Sequence, residues 1–197
     1  MRNIGVKGIG LYAPGDPIDN EELQRLTGIN LEEQKLNREK LEQKVGIYTR
    51  HMARLRGIDE TTADFATRAA NEAIENAGID PMKVAYFIVG TDTPEYISPA
   101  TAILVQGRIQ GEQRFTGSFD VSTSCAGFVT AYDVAARMLA GDPEAEYAVV
   151  IGVYNMPAYV RDGDPFGFSI FADGAAAFVL EKREEKGYIG SQFVTDG

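Results

Sequence analysis

Two short apolar runs constrain the fold of this chain more than any other feature. Residues 84–89 and 147–153 consist almost entirely of Val, Ile, Ala, Gly, Tyr and Phe. Both runs are far too short to span a membrane. Strands without polar positions are typically buried on both faces, in a sheet with helices above and below it. The runs alternate with segments of helical periodicity, so the sequence predicts an α/β sandwich.

Further elements follow from periodicity and from capping residues. A charge-laced segment at 30–44 predicts a solvated, partly helical excursion over the surface. No linker or internal repeat interrupts the chain, so residues 1–197 are expected to form one domain. The predicted order is β-α-β-α-β-α-β-loop-β-β, with strands at 4–11, 84–90, 117–121, 147–153, 169–181 and 188–194, and helices starting near 59–62, 100 and 126. A further short helix is predicted to start near 19.

Composition narrows the possible functions. The net charge of −10 and the pI near 4.6 argue against nonspecific binding to nucleic acid, which needs a basic surface. No apolar stretch has the length of a membrane span or a signal peptide, so no membrane association is expected. The single cysteine cannot form an intrachain disulfide, and a reducing cytoplasm is therefore the expected location.

That single cysteine, Cys125, lies where a predicted strand runs straight into a predicted helix. The strand covers 117–121, and an apolar helical pattern covers 126–140 before Gly141. The first N–H groups of a helix have no intrahelical partner, and the helix dipole is positive there. Such a position lowers the pKa of a thiol. We therefore predict that Cys125 is a nucleophile, although a lone cysteine is often only a small buried hydrophobic residue.

Three segments resemble one known family: residues 119–129 (FDVSTSCAGFV), 98–102 (SPATA) and 171–177 (FADGAAA). In content, order and spacing they resemble the N-terminal half of the thiolase superfamily, and within it 3-oxoacyl-acyl-carrier-protein synthase III. The resemblance covers nearly the whole chain apart from the charged excursion. It implies a layered α/β sandwich, with a mixed five-stranded sheet and helices on its faces.

The resemblance also implies a chemistry. The cysteine at the position of Cys125 takes an acyl group from a thioester, and a malonyl thioester then attacks it with decarboxylation. Asp92, Ser98, Met156 and Phe171 fall where the family lines its acyl pocket, and Ser98 is expected to reach across a dimer interface. Acyl-CoA or acyl-carrier protein is the implied substrate, with no metal and no resident cofactor.

The residues themselves leave other interpretations open for these positions. Met156 and Phe171 have side chains that are as common in a core as in a pocket. Asp92 can form an Asx turn before Pro94. The Asp173-Gly174 pair is predicted to form a turn that positions a strand, rather than to belong to a site.

The sequence departs from the family in its second half. The family's catalytic histidine and asparagine come from a C-terminal half that these 197 residues do not include, and His51 falls in a region that the family uses for structure. A homo-oligomer or a separate chain supplying that half is therefore expected as partner, with acyl-carrier protein as a further one. The alternative is a noncatalytic dimerisation subunit.

Two further departures concern the substrate. Lys40 and Pro165 stand where the family clamps the CoA adenine between a tryptophan and an arginine, while Lys44 is still placed to meet a phosphate. Asp92 stands where the related 3-hydroxy-3-methylglutaryl-CoA synthases carry a glutamate base, which makes an enzyme of that type a second alternative.

Overall fold

A mixed five-stranded sheet organises the chain in the computed structural model, which describes residues 3–32, 39–111, 115–185 and 187–195. In spatial order the strands are β1 (Asn3–Tyr12), β7 (Asp173–Arg183), β6 (Tyr147–Asn155), β4 (Val84–Gly90) and β5 (Gly117–Val121). Strand β4 pairs in parallel with β6 and β5, whereas β7 runs antiparallel to both β6 and β1. The predicted mixed five-stranded sheet is confirmed.

Helices cover both faces of this sheet. Helices α2 (Thr62–Ala77) and α3 (Thr101–Gln110) pack on one face, and α4 (Gly127–Gly141) packs on the other. Two shorter helices, α1 (Asn20–Thr27) and α5 (Pro165–Ile170), lie outside these layers, beside a small ladder of β2 (Ile18–Asp19) and β3 (Thr49–Arg50). No helix in the described part of the chain has the length and apolar character of a transmembrane segment.

Helix α2 owes its position to small residues. The side chain of Thr61 and that of Asp64 form a reciprocal capping box at its start, and Gly78 ends it in a left-handed conformation. Its alanine-rich face then lies directly on β1, where a Cβ atom on Gly10 would stand 2.1 Å from the carbonyl oxygen of Ala69. Glycines in β1 therefore permit the backbones of strand and helix to touch.

The charged excursion is less solvated than its sequence suggests. Residues 33–38, which include Leu36, lie outside the described residues. A π-helix at Lys40–Val45 follows them. Leu31 and Leu41 are fully buried in a separate apolar cluster with Leu23 and Met52. The leucines thus anchor the excursion to the domain, which corrects the prediction of a purely solvated segment.

The predicted strand at 169–181 also needs correction. Instead of a strand from 169, helix α5 forms, because Pro165 occupies its first turn and the Asp164 carboxylate caps the N–H groups of Phe166 and Gly167. Asp173 and Gly174 form the start of β7 and not a turn. Strand β5 is half-buried, because it lies at the edge of the sheet.

The predicted strand at 188–194 is also wrong. This segment forms no ladder; Tyr188 donates its N–H to the carbonyl oxygen of Ile4, and the hydroxyls of Tyr188 and Ser191 donate to Asp133 on α4. Side-chain hydrogen bonds to a helix therefore hold a segment whose apolar pattern resembles that of a strand.

Candidate active site

The sheet topology brings several connections to one edge. Strands β4, β5 and β6 are parallel, so their carboxyl ends lie at the same edge, and antiparallel β7 begins there. Ligand sites of α/β sheets commonly lie outside the carboxyl ends of parallel strands. Asp92, Cys125, Met156 and Phe171 all belong to these connections.

Cys125 lies in the connection between β5 and α4. A single 3-10 turn, Ser124–Ala126, carries it, and α4 begins two residues later at Gly127. The side chain is exposed and the thiol is free. The predicted placement at a strand-to-helix junction is confirmed, and the interpretation as a buried apolar residue is wrong.

The backbone just before this cysteine is strained. Ser124 has a φ of 47°, and it is the only non-glycine residue with positive φ in the described ranges. L-residues in this conformation cost of order 1–2 kcal/mol. Such outliers persist where the surrounding structure fixes them, and they cluster at functional sites. The sharp turn lifts Cys125 out of the strand and towards the edge of the sheet.

A contact between two glycines fixes the start of α4. A Cβ atom on Gly90, the last residue of β4, would lie 2.5 Å from the carbonyl carbon of Gly127. A Cβ atom on Gly127 would lie 3.3 Å from the Cα atom of Gly90. Because only glycines allow this approach, the helix terminus is held against the sheet at the residue that follows the Cys125 turn.

Cys125 opens into a cavity of about 620 Å³. Three of the four positions predicted to bind substrate share it with Cys125: Asp92, Met156 and Phe171. Met156 and Phe171 are half-buried in its wall and belong to none of the three core clusters. The lining consists of Asp92, Thr93, Ser124, Cys125, Tyr154, Met156, Tyr159, Ile170, Phe171 and Ala172.

Ser98 is not brought into this cavity within the chain. It is exposed, and a cis peptide bond joins it to Pro99 just before α3. Its expected role across a subunit interface remains a prediction.

Two hydroxyl groups hold the carboxylate of Asp92. The Tyr154 hydroxyl donates to Oδ2 at 2.8 Å, and the Ser122 hydroxyl donates to Oδ1 at 3.2 Å. Burial, followed by the hydrogen bond and charge of Asp92 and by the nearby Cys125, raises the pKa of Tyr154 to about 12. Both carboxylate oxygens bind side chains, so Asp92 is engaged with the cavity rather than with a local Asx turn.

Sequence reasoning missed Tyr154 and Tyr159. Tyr154 comes directly after the apolar run of β6. Its polar hydroxyl at the carboxyl end of a parallel strand was the feature of the sequence that indicated a site residue. Tyr159 donates its hydroxyl to the carbonyl oxygen of Pro94 at 2.5 Å and thereby ties the β6–α5 connection to the connection that carries Asp92.

The remaining predicted positions lie elsewhere. His51 contacts the carbonyl oxygen of Gly15 through Nδ1 at 2.9 Å, which fits its expected structural role, and it does not line the cavity. Lys40 and Lys44 lie in the π-helix, and Pro165 begins α5. Across the described ranges no group of three or more His, Cys, Asp or Glu side chains is placed to hold a metal ion.

Comparisons with known proteins agree with this geometry. The family model of 3-Oxoacyl-[acyl-carrier-protein (ACP)] synthase III matches residues 119–197, which include Cys125 and Phe171. A beta-ketoacyl-[acyl-carrier-protein] synthase III of Coxiella burnetii is 33% identical over 197 residues, which is 100% of this chain and 58% of that protein. The chain therefore spans little more than half the length of the curated relatives it matches.

Solved structures show the same partial coverage. The 3-oxoacyl-[acyl-carrier-protein] synthase III of Aquifex aeolicus VF5 superimposes with a TM-score of 0.76 at 29% identity, over 93% of this chain and 55% of that one. The priming beta-ketosynthase of the R1128 polyketide pathway gives a TM-score of 0.80 at 26% identity, over 94% and 52%.

The chain thus has the thiolase-like layered α/β fold of these structures, over about half of their length. Its sequence is similar to 3-oxoacyl-[acyl-carrier-protein] synthase III over residues 119–197 and to a curated synthase of that type over all 197 residues.

Proposed function

We propose that this chain is the nucleophile-bearing half of a β-ketoacyl-acyl-carrier-protein synthase III-type condensing enzyme, in which Cys125 carries the acyl group. One observation supports this most directly: the exposed Cys125 occupies a strained turn between β5 and α4 and opens into a largely apolar cavity. Acyl-CoA or acyl-carrier protein is the proposed acyl donor, and no resident cofactor is required.

The acylation step needs only groups at this junction. The Cys125 sulfur forms a thioester bond to the acyl carbon, the carbon–sulfur bond of the donor breaks, and the thiol proton leaves with the donor thiol. Covalent capture divides a difficult carbon–carbon bond formation into two easier steps. For the oxyanion that forms we propose the Cys125 N–H as donor, and such a donor contributes roughly 2.7–4 kcal/mol.

The condensation step requires more than these residues. We propose that a C-terminal half, in the same polypeptide or in a second one, supplies the histidine and asparagine that polarise a malonyl thioester. We further propose a dimer in which Ser98 reaches the partner's cavity. We also propose a cytoplasmic location, which the single cysteine supports because disulfides are rare in that compartment.

Mass spectrometry of the intact protein tests the proposal. The full-length protein is incubated with butyryl-CoA or with butyryl-acyl-carrier protein, and the mass increase of one acyl group is located on the peptide that contains Cys125. The Cys125→Ala variant is the matched control and is expected to remain unmodified. A folded wild-type protein that gains no acyl group from either donor would overturn the proposal.

A second candidate function is a noncatalytic interaction subunit, and one observation favours it. Ile9 and Leu11 on β1 are 55% and 69% exposed. They point away from α2, because the intervening Gly8 and Gly10 face that helix. Rapid alkylation of Cys125 by iodoacetamide near pH 7 is expected of the enzyme, whereas a vestigial thiol would react at the rate of free cysteine.

A further inference from the structure

We infer that the cavity beside Cys125 selects acyl groups that carry a hydrogen-bond donor, such as a hydroxyl or an amino group, over plain alkyl groups of the same shape. The inference rests on the proposed function and specifies its substrate class. It is carried by Asp92, which lines a largely apolar cavity and accepts hydrogen bonds from Tyr154 in the same lining and from Ser122 outside it.

The first step concerns hydrogen-bond direction. An ionised carboxylate only accepts, and it offers about four lone-pair positions. The hydroxyls of Tyr154 and Ser122 occupy one position on each oxygen of Asp92. The Asp92 side chain belongs to an exposed residue that lines the cavity, so acceptor capacity remains on the cavity side.

The second step concerns the neighbouring hydroxyls. Because Tyr154 directs its single O–H at Asp92, what it has left to offer a ligand is its oxygen lone pairs. Asp92 is the only carboxylate among the lining residues, and no Lys, Arg or His side chain is among them. The part of the lining formed by Asp92 and Tyr154 is therefore acidic and made of acceptors.

The third step is the cost of an apolar ligand. An alkyl chain in contact with Asp92 displaces water from the carboxylate and forms no hydrogen bond in its place. The free energy of binding such a chain is therefore less favourable. A hydroxyl or amino group on the acyl chain replaces that water with a charge-assisted hydrogen bond. The apolar wall of Met156, Ile170 and Phe171 then accommodates the carbon skeleton. An acyl group bearing a carboxylate is excluded by repulsion from Asp92.

The test compares pairs of acyl donors that differ only by hydroxyl against methyl. The full-length protein is incubated with the pantetheine thioesters of 3-hydroxybutyrate and 3-methylbutyrate, and of 2-hydroxybutyrate and 2-methylbutyrate. The rate of acyl transfer to Cys125 is followed by mass spectrometry. A charge-assisted hydrogen bond predicts a preference of about tenfold or more for at least one hydroxylated member over its methyl partner.

Two variants assign the preference to the carboxylate. Asp92→Leu is expected to remove or reverse it, because leucine has a similar shape and no acceptor. Tyr154→Phe retains the carboxylate and is expected to retain the preference. Circular dichroism of both variants checks that the fold is intact.

The outcomes separate this inference from the proposed function. If no thioester modifies Cys125 in the folded wild-type protein, the proposed function fails. If Cys125 is acylated but methyl and hydroxyl partners react at equal rates, or if Asp92→Leu keeps the wild-type preference, the inference alone is overturned.

Discussion

The carboxylate of Asp120 on β5 caps helix α3 at Thr101. Its Oδ2 accepts the Thr101 N–H at 2.7 Å, and its Oδ1 accepts the Ala102 N–H at 2.8 Å. The residue at the N-cap position itself, Ala100, has no side chain able to do this. A residue 19 positions later in the chain thus accepts hydrogen bonds from the first N–H groups of the helix. The same contact joins the helix to the strand that leads to Cys125.

Asp120→Ala is expected to lower the free energy of unfolding by about 1–2 kcal/mol, because two helix N–H groups lose their acceptor. Urea unfolding followed by circular dichroism measures the change. Asp162→Ala is the matched control, since the Asp162 side chain is 83% exposed and pairs with Arg54 at the surface. Its expected effect is below about 1 kcal/mol. Equal losses in both variants would contradict the capping role.

Gly90→Ala is expected to destabilise the fold by more than about 2 kcal/mol, because the new Cβ atom would meet the Gly127 backbone at 2.5 Å. Thermal unfolding of the variant measures the effect. Gly107→Ala, within α3, adds a Cβ atom with nothing within 4 Å. That change is expected to stabilise the helix by up to about 1 kcal/mol. A Gly90→Ala protein that melts like wild type would contradict the close approach of β4 and α4.

The protonation of Asp173 predicts a pH dependence of stability. Burial raises the pKa of this carboxyl to about 6, while the Ala53 N–H bond to Oδ2 lowers it by a smaller amount. Its Oδ1 is buried without a partner. The folded pKa lies above the unfolded value, so protonation favours the folded state. This contribution is complete below about pH 4, the unfolded pKa, and is lost as pH rises through 6.

The measurement compares urea unfolding of wild type and of Asp173→Asn at pH 5 and at pH 7.5. The asparagine does not titrate, so wild type is expected to lose more stability than the variant between these two values. The comparison uses the change with pH within each protein, because the amide also alters the hydrogen bonds. Parallel changes in the two proteins would assign the pH dependence to other groups.

Ser124→Val is expected to slow alkylation of Cys125 and to destabilise the fold by roughly 1–3 kcal/mol, because a β-branched residue is poorly tolerated at a φ of 47°. Ser124→Gly should retain the alkylation rate, since glycine adopts positive φ without strain. The second-order rate with iodoacetamide at pH 7 is measured for each. Thr123→Val, one residue earlier at a φ of −139°, is the control and should react like wild type.

The apolar runs and glycine stops predicted the sheet and its main helices because burial and capping are local properties of the sequence. The predicted strand at 169–181 is confirmed from Asp173 onward as β7, but its first residues belong to helix α5, which the local residues Asp164 and Pro165 start. The prediction failed at 188–194, where hydrogen bonds to Asp133 decide the conformation. In that second case a contact between distant residues settles the conformation, and no pattern within the segment encodes it.

The candidate site shows the same division. The Cys125 junction could be predicted because strand, small-residue turn and helix adjoin in sequence. The partnership of Asp92 with Tyr154 could not, because it joins residues 62 positions apart through the pairing of β4 with β6. The position of Ser98 outside the cavity likewise follows from the path of the chain after Pro94, which the sequence does not specify.

Most residues of the cavity lining belong to connections beyond the ends of strands, apart from Tyr154 in β6 and Ile170 in α5, whereas glycine backbones in the sheet and in α4 hold the turn that carries Cys125. The residues that shape the cavity are consequently different from those that place Cys125. Exchanges at Asp92, Met156, Tyr159 or Phe171 can change the shape and polarity of the cavity without moving the sulfur atom. Evolution can therefore alter this cavity through its loops while the junction that carries Cys125 stays the same.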